Sequence, residues 1–211
     1  IFPPTLMPSA VFPHAKLDWT ISKLEEKIQD QPDDLEARLE LSRCLLSRGW
    51  FHAGGEADCN EALVLARRVL QDDPTSVTAL VVAGAALVGM ERPDAAEKYL
   101  SQAFSAEENR PDLRLAIGAL EGLRNNLGQA VRNYETACRM EPEAWETHLL
   151  LGRALLALTD VRPQSRLVER ASYHLVRAMR LDPSPDQHPQ ILRDMGLCCM
   201  RTGRTKEAQR F

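Results

Sequence analysis

The sequence lacks the motifs that usually accompany catalysis or cofactor binding. It has no glycine-rich phosphate loop, no GxSxG and no HExxH, and its five histidines are scattered along the chain. Its five cysteines form no CxxC pair and no convincing disulfide framework. These absences predict a protein that is not an enzyme, holds no metal or cofactor, and keeps its thiols reduced in the cytoplasm.

The scarcity of aromatic residues and of long apolar runs also limits the class of protein. Aromatic residues make up only 5% of the chain, and no apolar run approaches the roughly 18 residues of a membrane span. The apolar residues are mainly alanine and leucine, which favours helices over sheets. A formal net charge of −4 gives no overall attraction to nucleic acid or to a membrane surface. We therefore expect a helical protein that binds neither of them.

An internal repeat is the strongest positive feature of the sequence. Gly84, Gly118 and Gly152 are each 34 residues apart, and Ala96 and Ala130 keep the same interval. Each unit contains an apolar helix with a small residue near its centre, a polar turn, and a second helix with alanines seven residues apart. Small residues let paired helices cross closely, because a larger side chain would hold them apart. The period predicts a stack of helical hairpins.

This pattern resembles the tetratricopeptide repeat family, whose unit is 34 residues long. Prolines end the units at Pro32, Pro74, Pro142 and Pro183, where the family also carries proline. The resemblance covers roughly residues 18–211, and it implies an all-α, right-handed superhelical solenoid of helix-turn-helix repeats. The predicted units are an extended, proline-rich apolar segment (1–16), the second helix of an incomplete repeat (17–32), four full repeats (33–74, 75–108, 109–142 and 143–183) and the start of a truncated repeat (184–211).

Two of the full repeats are longer than the family unit. The repeat 33–74 has 42 residues and the repeat 143–183 has 41, which is eight and seven more than 34. In the first of them, the stretch "GWFHAGGEAD" predicts a loop between the two helices, with Asp58 capping the second helix. In the other, the prediction is an extended second helix that starts at Pro163 and reaches Leu181.

The resemblance also implies a partner-binding groove, since in this family the first helices of the repeats line the concave face. The inward residues that we expect to contact a partner are Leu39, Arg43, Val81, Val82, Ala85, Leu115, Ala119, Leu149, Leu150 and Arg153. Most of them are apolar, so an open strip of them has to be covered by a partner helix, an extended apolar peptide or another part of the chain. The alternative is that tight superhelical curvature buries these side chains as ordinary core.

The first thirteen residues, "IFPPTLMPSAVFP", are a candidate for that covering segment. Four prolines keep the segment extended, so that it loses little entropy on docking, and large apolar side chains recur along it. We expect it to lie in the groove or across the N-terminal end of the stack. A flexible linker from an upstream domain is the alternative.

Charge is unevenly distributed along the chain. Arg162, Arg166, Arg170 and Arg177 share a helix face, which makes them a candidate surface for an acidic partner, although such stripes are usually solvated. Residues 18–40 hold eight acids and three bases, so pairing of the two regions between molecules is a second possibility. The stripe is too short for nucleic acid, and no aromatic residues are interleaved with it to stack bases.

Taken together, the repeat and the resemblance predict a non-enzymatic scaffold or adaptor. Its expected partner is a protein or peptide that offers an apolar or amphipathic segment within a larger assembly. Two alternatives stay open. One is a regulatory or substrate-selecting arm of an enzyme whose catalytic domain lies outside this sequence, and the other is a structural solenoid that self-associates through open repeat ends.

Overall fold

The structure is a computed structural model that describes residues 14–52, 54–161, 164–181 and 189–203. Within these ranges the chain forms ten α-helices and no β-strand, so the prediction of an all-α protein is confirmed. The helices are α1 (His14–Asp30), α2 (Leu35–Phe51), α3 (Gly55–Asp72), α4 (Val77–Gly89), α5 (Pro93–Ala106), α6 (Pro111–Leu123), α7 (Leu127–Met140), α8 (Trp145–Val161), α9 (Ser165–Leu181) and α10 (Pro189–Arg201).

The helices pair into hairpins that stack in chain order. α2 packs on α3, α4 on α5, α6 on α7 and α8 on α9, while α1 precedes this stack and α10 follows it. The first helices of neighbouring hairpins also contact one another, α2 with α4, α4 with α6 and α6 with α8. This order of contacts is that of a right-handed superhelical solenoid of tetratricopeptide type, as predicted. The core lies between the two helical layers, and its most deeply buried side chains include Leu45, Leu87, Leu113, Leu155 and Leu175.

The three repeat glycines occupy equivalent places in successive hairpins. Each lies in the first helix, and a Cβ built on it would come within 2.5–2.8 Å of a large side chain in the second helix of the same hairpin. A real Cβ atom does not tolerate so short a distance, so only glycine permits this crossing. The pairs are Gly84 with Leu100, Gly118 with Tyr134, and Gly152 with Leu175.

Local chemistry explains where several helices begin. Asp34 and Ser76 precede α2 and α4, and each side chain accepts a hydrogen bond from the backbone N–H three residues on, at 2.8 Å and 3.4 Å. α5 and α6 begin instead with Pro93 and Pro111, whose fixed φ suits the first turn and whose missing N–H has no helical partner there in any case.

The two long repeats hold their extra residues as helix and not as loop. α2 and α3 have 17 and 18 residues, against 13 and 14 in α4 and α5, which accounts for all eight extra residues. α8 and α9 have 17 each, which accounts for the other seven. The predicted loop over "GWFHAGGEAD" is therefore too long, because α2 extends to Phe51 and α3 begins at Gly55. α9 ends at Leu181 as predicted, whereas its predicted start at Pro163 lies outside the described residues.

The chain ends also differ from the predicted units. α1 begins at His14, so residues 14–16 are helical, although the sequence analysis assigned them to an extended segment. Proline restrains the residue that precedes it, and after Pro13 no further proline interrupts the chain before Asp30, so the helix can start directly there. Residues 1–13 lie outside the described part of the chain. Of the predicted truncated repeat, the structure describes 189–203.

The sequence analysis expected Asp58 to cap α3, but Asp58 instead forms an ion pair inside the hairpin. It lies within the first turn of α3, is 7% exposed, and accepts two hydrogen bonds from Arg48 of α2, with Nη2–Oδ1 at 2.9 Å. Nη1 of the same arginine reaches Asp18 of α1 at 3.0 Å. Hydrogen bonding to the Asp58 carboxylate is the main reason why the pKa of Arg48 lies above its usual value. Arg48 therefore joins three consecutive helices.

Replacing Arg48 by alanine is expected to lower the free energy of unfolding by about 2–3 kcal/mol, because it leaves a buried carboxylate without its partner. Urea unfolding followed by circular dichroism measures the change. Arg124→Ala is a matched control, since Arg124 also bridges two acids, Asp94 and Glu97, whose side chains are 97% and 56% exposed. We expect the control to unfold at the wild-type midpoint, and equal losses in both variants would contradict a special role for the buried pair.

Candidate functional site

The concave face does not present an open apolar strip. Six of the ten residues predicted to line the groove are buried, and the five apolar ones among them belong to the two core clusters of the solenoid. Their exposed fractions are 0% for Val81 and Val82, 2% for Ala85 and Leu149, 4% for Leu115 and 9% for Arg43. A partner that approaches the structure as it stands cannot reach these apolar side chains.

Part of the covering comes from the extra turn at the end of α2, residues 48–51. The ring of Phe51 contacts that of Trp145 in α8, with 5.3 Å between centroids, so the first full hairpin reaches the fourth across the concave side. Trp50 donates its indole N–H to the carbonyl of Ala85 in α4, at 3.2 Å. A covering by another part of the chain was one of the sequence-based expectations, and α2 supplies it here. The predicted docking of residues 1–13 lies outside the described residues.

The other four predicted groove residues keep part of their surface exposed. Leu39, Ala119 and Leu150 lie in the first helices α2, α6 and α8, and each is half-buried. Arg153, also half-buried, donates from Nε to Asp194 of α10 at 2.8 Å. Their role in partner binding stays a prediction.

Charged groups gather where α6 and α8 begin, at the edge of the concave face. Arg110 holds the buried Asp112 through two hydrogen bonds, Nε–Oδ1 at 3.0 Å and Nη2–Oδ2 at 2.7 Å, and reaches Thr78 of α4 at 3.1 Å. Burial, and then the charge of Asp112, raise the pKa of Glu141, whereas Arg43 opposes that rise. The charge of Asp112 is therefore balanced within the chain by Arg110.

The arginine stripe is largely occupied by contacts within the chain. Arg170 pairs with Glu135 of α7, and Nη2 of Arg177 lies 2.6 Å from Oε1 of Glu143, in the turn before α8. Arg166 is exposed, and Arg162 lies outside the described residues. Two of the four arginines therefore tie α9 to α7 and to the turn before α8, which leaves less of the stripe for an acidic partner than the sequence analysis expected.

A second candidate site lies where α7, α8 and α9 meet. Cys138 of α7, His148 of α8 and His174 of α9 bring their ligand atoms within 4.8 Å of one another. Nδ1 of His148 is 2.9 Å from Nδ1 of His174 and 3.8 Å from Sγ of Cys138. The two imidazole rings meet edge to edge at their Nδ1 atoms, with centroids 5.2 Å apart and planes inclined by 26°. This is a set of one sulfur and two nitrogen donors from three different helices.

Hydrogen bonding and burial define the state of these groups. Nε2 of His148 lies 3.1 Å from the carbonyl oxygen of Pro142, which can only accept, so Nε2 carries the hydrogen and Nδ1 the lone pair. Burial lowers the pKa of His148, and burial together with His148 and Arg170 lowers that of His174 to about 4. Burial raises the pKa of the Cys138 thiol to about 12. Both imidazoles are therefore neutral at pH 7.

The sequence analysis missed this cluster, since the five histidines are scattered along the chain and it predicted no metal site. Ten residues separate Cys138 from His148, and 26 separate His148 from His174, which matches no local metal motif. The donors meet only because two hairpins stack. The one available signal was the repeat frame, which places the three residues on neighbouring helices at one repeat junction.

Comparisons with known proteins agree with this architecture. A family model described as "Tetratricopeptide repeat" matches residues 113–161, which covers most of α6 and all of α7 and α8. No curated protein matches the sequence. None of the described helices combines the length and the apolar character needed to cross a lipid bilayer.

Solved structures with low sequence identity share the fold. TTC0263, a tetratricopeptide repeat protein of Thermus thermophilus, is 18% identical with a TM-score of 0.62, and the match covers 93% of this chain and 92% of that one. Human IFIT1, solved as a dimer with m7Gppp-AAAA, is 13% identical with a TM-score of 0.76, and the match covers 94% of this chain but only 46% of IFIT1. YrrB, a tetratricopeptide repeat protein with an unusual peptide-binding site, is 16% identical with a TM-score of 0.53 over 89% and 88% of the two chains.

The stacked hairpins, the close helix crossings at glycine and the absence of strands from the described residues define an α-solenoid of short repeats. With the family match over residues 113–161, they support the assignment of the chain to the tetratricopeptide repeat family. Such repeats serve in general as scaffolds for protein interaction.

Proposed function

We propose that this chain is a non-enzymatic adaptor that binds a protein or peptide along its concave side and holds it within a larger assembly. The observation that carries the proposal is the alignment of the first helices, which places the half-buried Leu39, Ala119 and Leu150 on α2, α6 and α8. Successive helices that each offer a partly exposed apolar side chain suit an extended or amphipathic segment. The described peptide-binding site of YrrB, which shares the fold, supports a peptide as the class of ligand.

The proposed contact differs from the one expected from the sequence. Since Val81, Val82 and Leu149 are buried, the partner contacts the exposed edges of the first helices and not the bottom of an apolar trough. We place the adaptor in the cytoplasm, where its five free thiols stay reduced.

The test captures partners on the tagged chain and compares the wild type with Leu150→Glu. A charge on the concave edge is expected to remove the captured proteins, while circular dichroism shows a folded solenoid. Leu39→Glu repeats the test in another hairpin. Val64→Glu is the matched control, because Val64 lies on α3 and is 59% exposed, so this variant is expected to capture the same proteins as the wild type.

Two results would overturn the proposal. In the first, both concave variants retain the wild-type partners. In the second, Val64→Glu loses them as completely as Leu150→Glu does, which would assign binding to the outer face or to no particular face.

A further inference from the structure

We propose that Cys138, His148 and His174 form a zinc-binding site at the junction of α7, α8 and α9. One thiolate and two imidazole nitrogens are ligands that zinc accepts readily, whereas magnesium and calcium prefer oxygen. The three ligands come from three different helices of two successive repeats, so a bound ion would tie those repeats together. The site is separate from the concave edge proposed for partner binding.

The distances between the donor atoms fit one tetrahedral ion. Zinc lies about 2.0–2.1 Å from nitrogen and about 2.3 Å from sulfur, which sets nitrogen ligands about 3.3 Å apart and nitrogen and sulfur about 3.6 Å apart. The observed separations are 2.9 Å between the two Nδ1 atoms and 3.8 Å between Nδ1 of His148 and Sγ of Cys138. All three ligand atoms lie within 4.8 Å of one another, so rotations that shift the side chains by up to about 1 Å and turn both Nδ1 lone pairs toward a common point would close the site around zinc.

Hydrogen bonds within the cluster cannot pair all three of its polar groups at once. The single lone pair on Nδ1 of His148 accepts one hydrogen, yet both His174 Nδ1 and the Cys138 thiol face it. A cation at the centre uses a lone pair from all three groups. The bond from Nε2 of His148 to the Pro142 carbonyl already holds that ring in the required tautomer, as outer partners of metal ligands do.

The proton balance of the three ligands and the access of solvent to them are also compatible with binding of a divalent ion. Zinc binding would release the thiol proton of Cys138 to solvent, and the one hydrogen of neutral His174 would move from Nδ1 to Nε2 so that Nδ1 presents a lone pair to the ion. The nearby arginines, Arg170 and Arg177, form ion pairs with Glu135 and Glu143, which offsets part of their repulsion of a cation. Cys138 and His174 are partly exposed, which leaves an entry path and a fourth coordination position for water or an external ligand.

Titration of the metal-free, reduced 211-residue chain with zinc chloride, followed by calorimetry, tests the site. We expect one ion to bind per chain. Cys138→Ala and His174→Ala are each expected to weaken binding by more than about 100-fold, since loss of even an outer partner costs about 10–100-fold. Cys44→Ala is the matched control, because it removes a buried thiol of α2 that lies outside the cluster, and its affinity for zinc should equal that of the wild type.

Cobalt(II) gives a second readout that does not depend on stability. The wild type and Cys44→Ala should show a thiolate-to-cobalt charge-transfer band that Cys138→Ala lacks, with circular dichroism confirming that every variant is folded. Saturating zinc should also raise the melting temperature of the wild type but not that of Cys138→Ala. The proposal is overturned if the wild type takes up no zinc, or if Cys138→Ala and His174→Ala bind it as tightly as the wild type. In either case the two imidazoles form only a neutral hydrogen bond.

Discussion

Gly118→Ala is expected to lower the free energy of unfolding by about 1–3 kcal/mol, although alanine is the better helix former. A Cβ at this position would lie 2.7 Å from Cε1 and 2.8 Å from Cδ1 of Tyr134. Tyr134 is only 5% exposed, so its ring cannot swing into solvent to make room. The strain has to be relieved by moving α6 away from α7, which loosens the core of that hairpin. The midpoint of urea unfolding reports the change.

Gly122→Ala is the control for this variant, because it makes the same substitution in the same helix. A Cβ there meets no atom within 4 Å, so the variant should gain up to about 1 kcal/mol from helix propensity. The two alanine variants should therefore shift in opposite directions. If Gly118→Ala proved as stable as Gly122→Ala, close crossing of the helices would not be the reason for glycine in the repeat.

Trp50→Ala is expected to destabilise the solenoid by about 3 kcal/mol, at the lower end of the range for removing a large core aromatic, because Trp50 keeps part of its surface exposed. The indole packs against both core clusters, donates a hydrogen bond to the carbonyl of Ala85, and fills the space beside Gly89. Its removal also uncovers apolar side chains of the concave face. We therefore expect a lower melting temperature together with stronger binding of an apolar fluorescent dye.

Trp19→Ala separates this effect from the general loss of an aromatic side chain. Trp19 lies on α1 and is 60% exposed, so its removal should change the free energy of unfolding by no more than about 0.5 kcal/mol and leave dye binding unchanged. If the two tryptophan variants showed the same dye binding, the extra turn of α2 would not be what covers the concave face.

The repeat frame was predictable because it depends on local and periodic information. Glycines at a constant interval mark the helix crossings, and the structure places Gly84, Gly118 and Gly152 against equivalent side chains. A proline such as Pro111 marks a helix start because it restricts its own backbone. These features depend on contacts within one hairpin, so the sequence of each repeat predicts them independently of the other repeats.

The lengths of the helices in the long repeats were less predictable. The stretch around Gly49, Gly54 and Gly55 has weak helix propensity, which favours a loop when only local information is used. Contacts from distant parts of the chain reverse that preference, since Arg48 is held by Asp18 and Asp58 and Phe51 by Trp145. The same kind of long-range contact decides that the concave apolar residues are buried.

The sequence by itself determined that this protein is a stack of helical hairpins with close crossings at glycine, because a constant period repeats the same packing rule in every unit. Only the tertiary structure decided which residues of different repeats come into contact. Superhelical curvature sets which residues of different repeats meet, and curvature results from all the helix contacts at once. The aromatic contact between Phe51 and Trp145 and the cluster of Cys138, His148 and His174 both arise in this way.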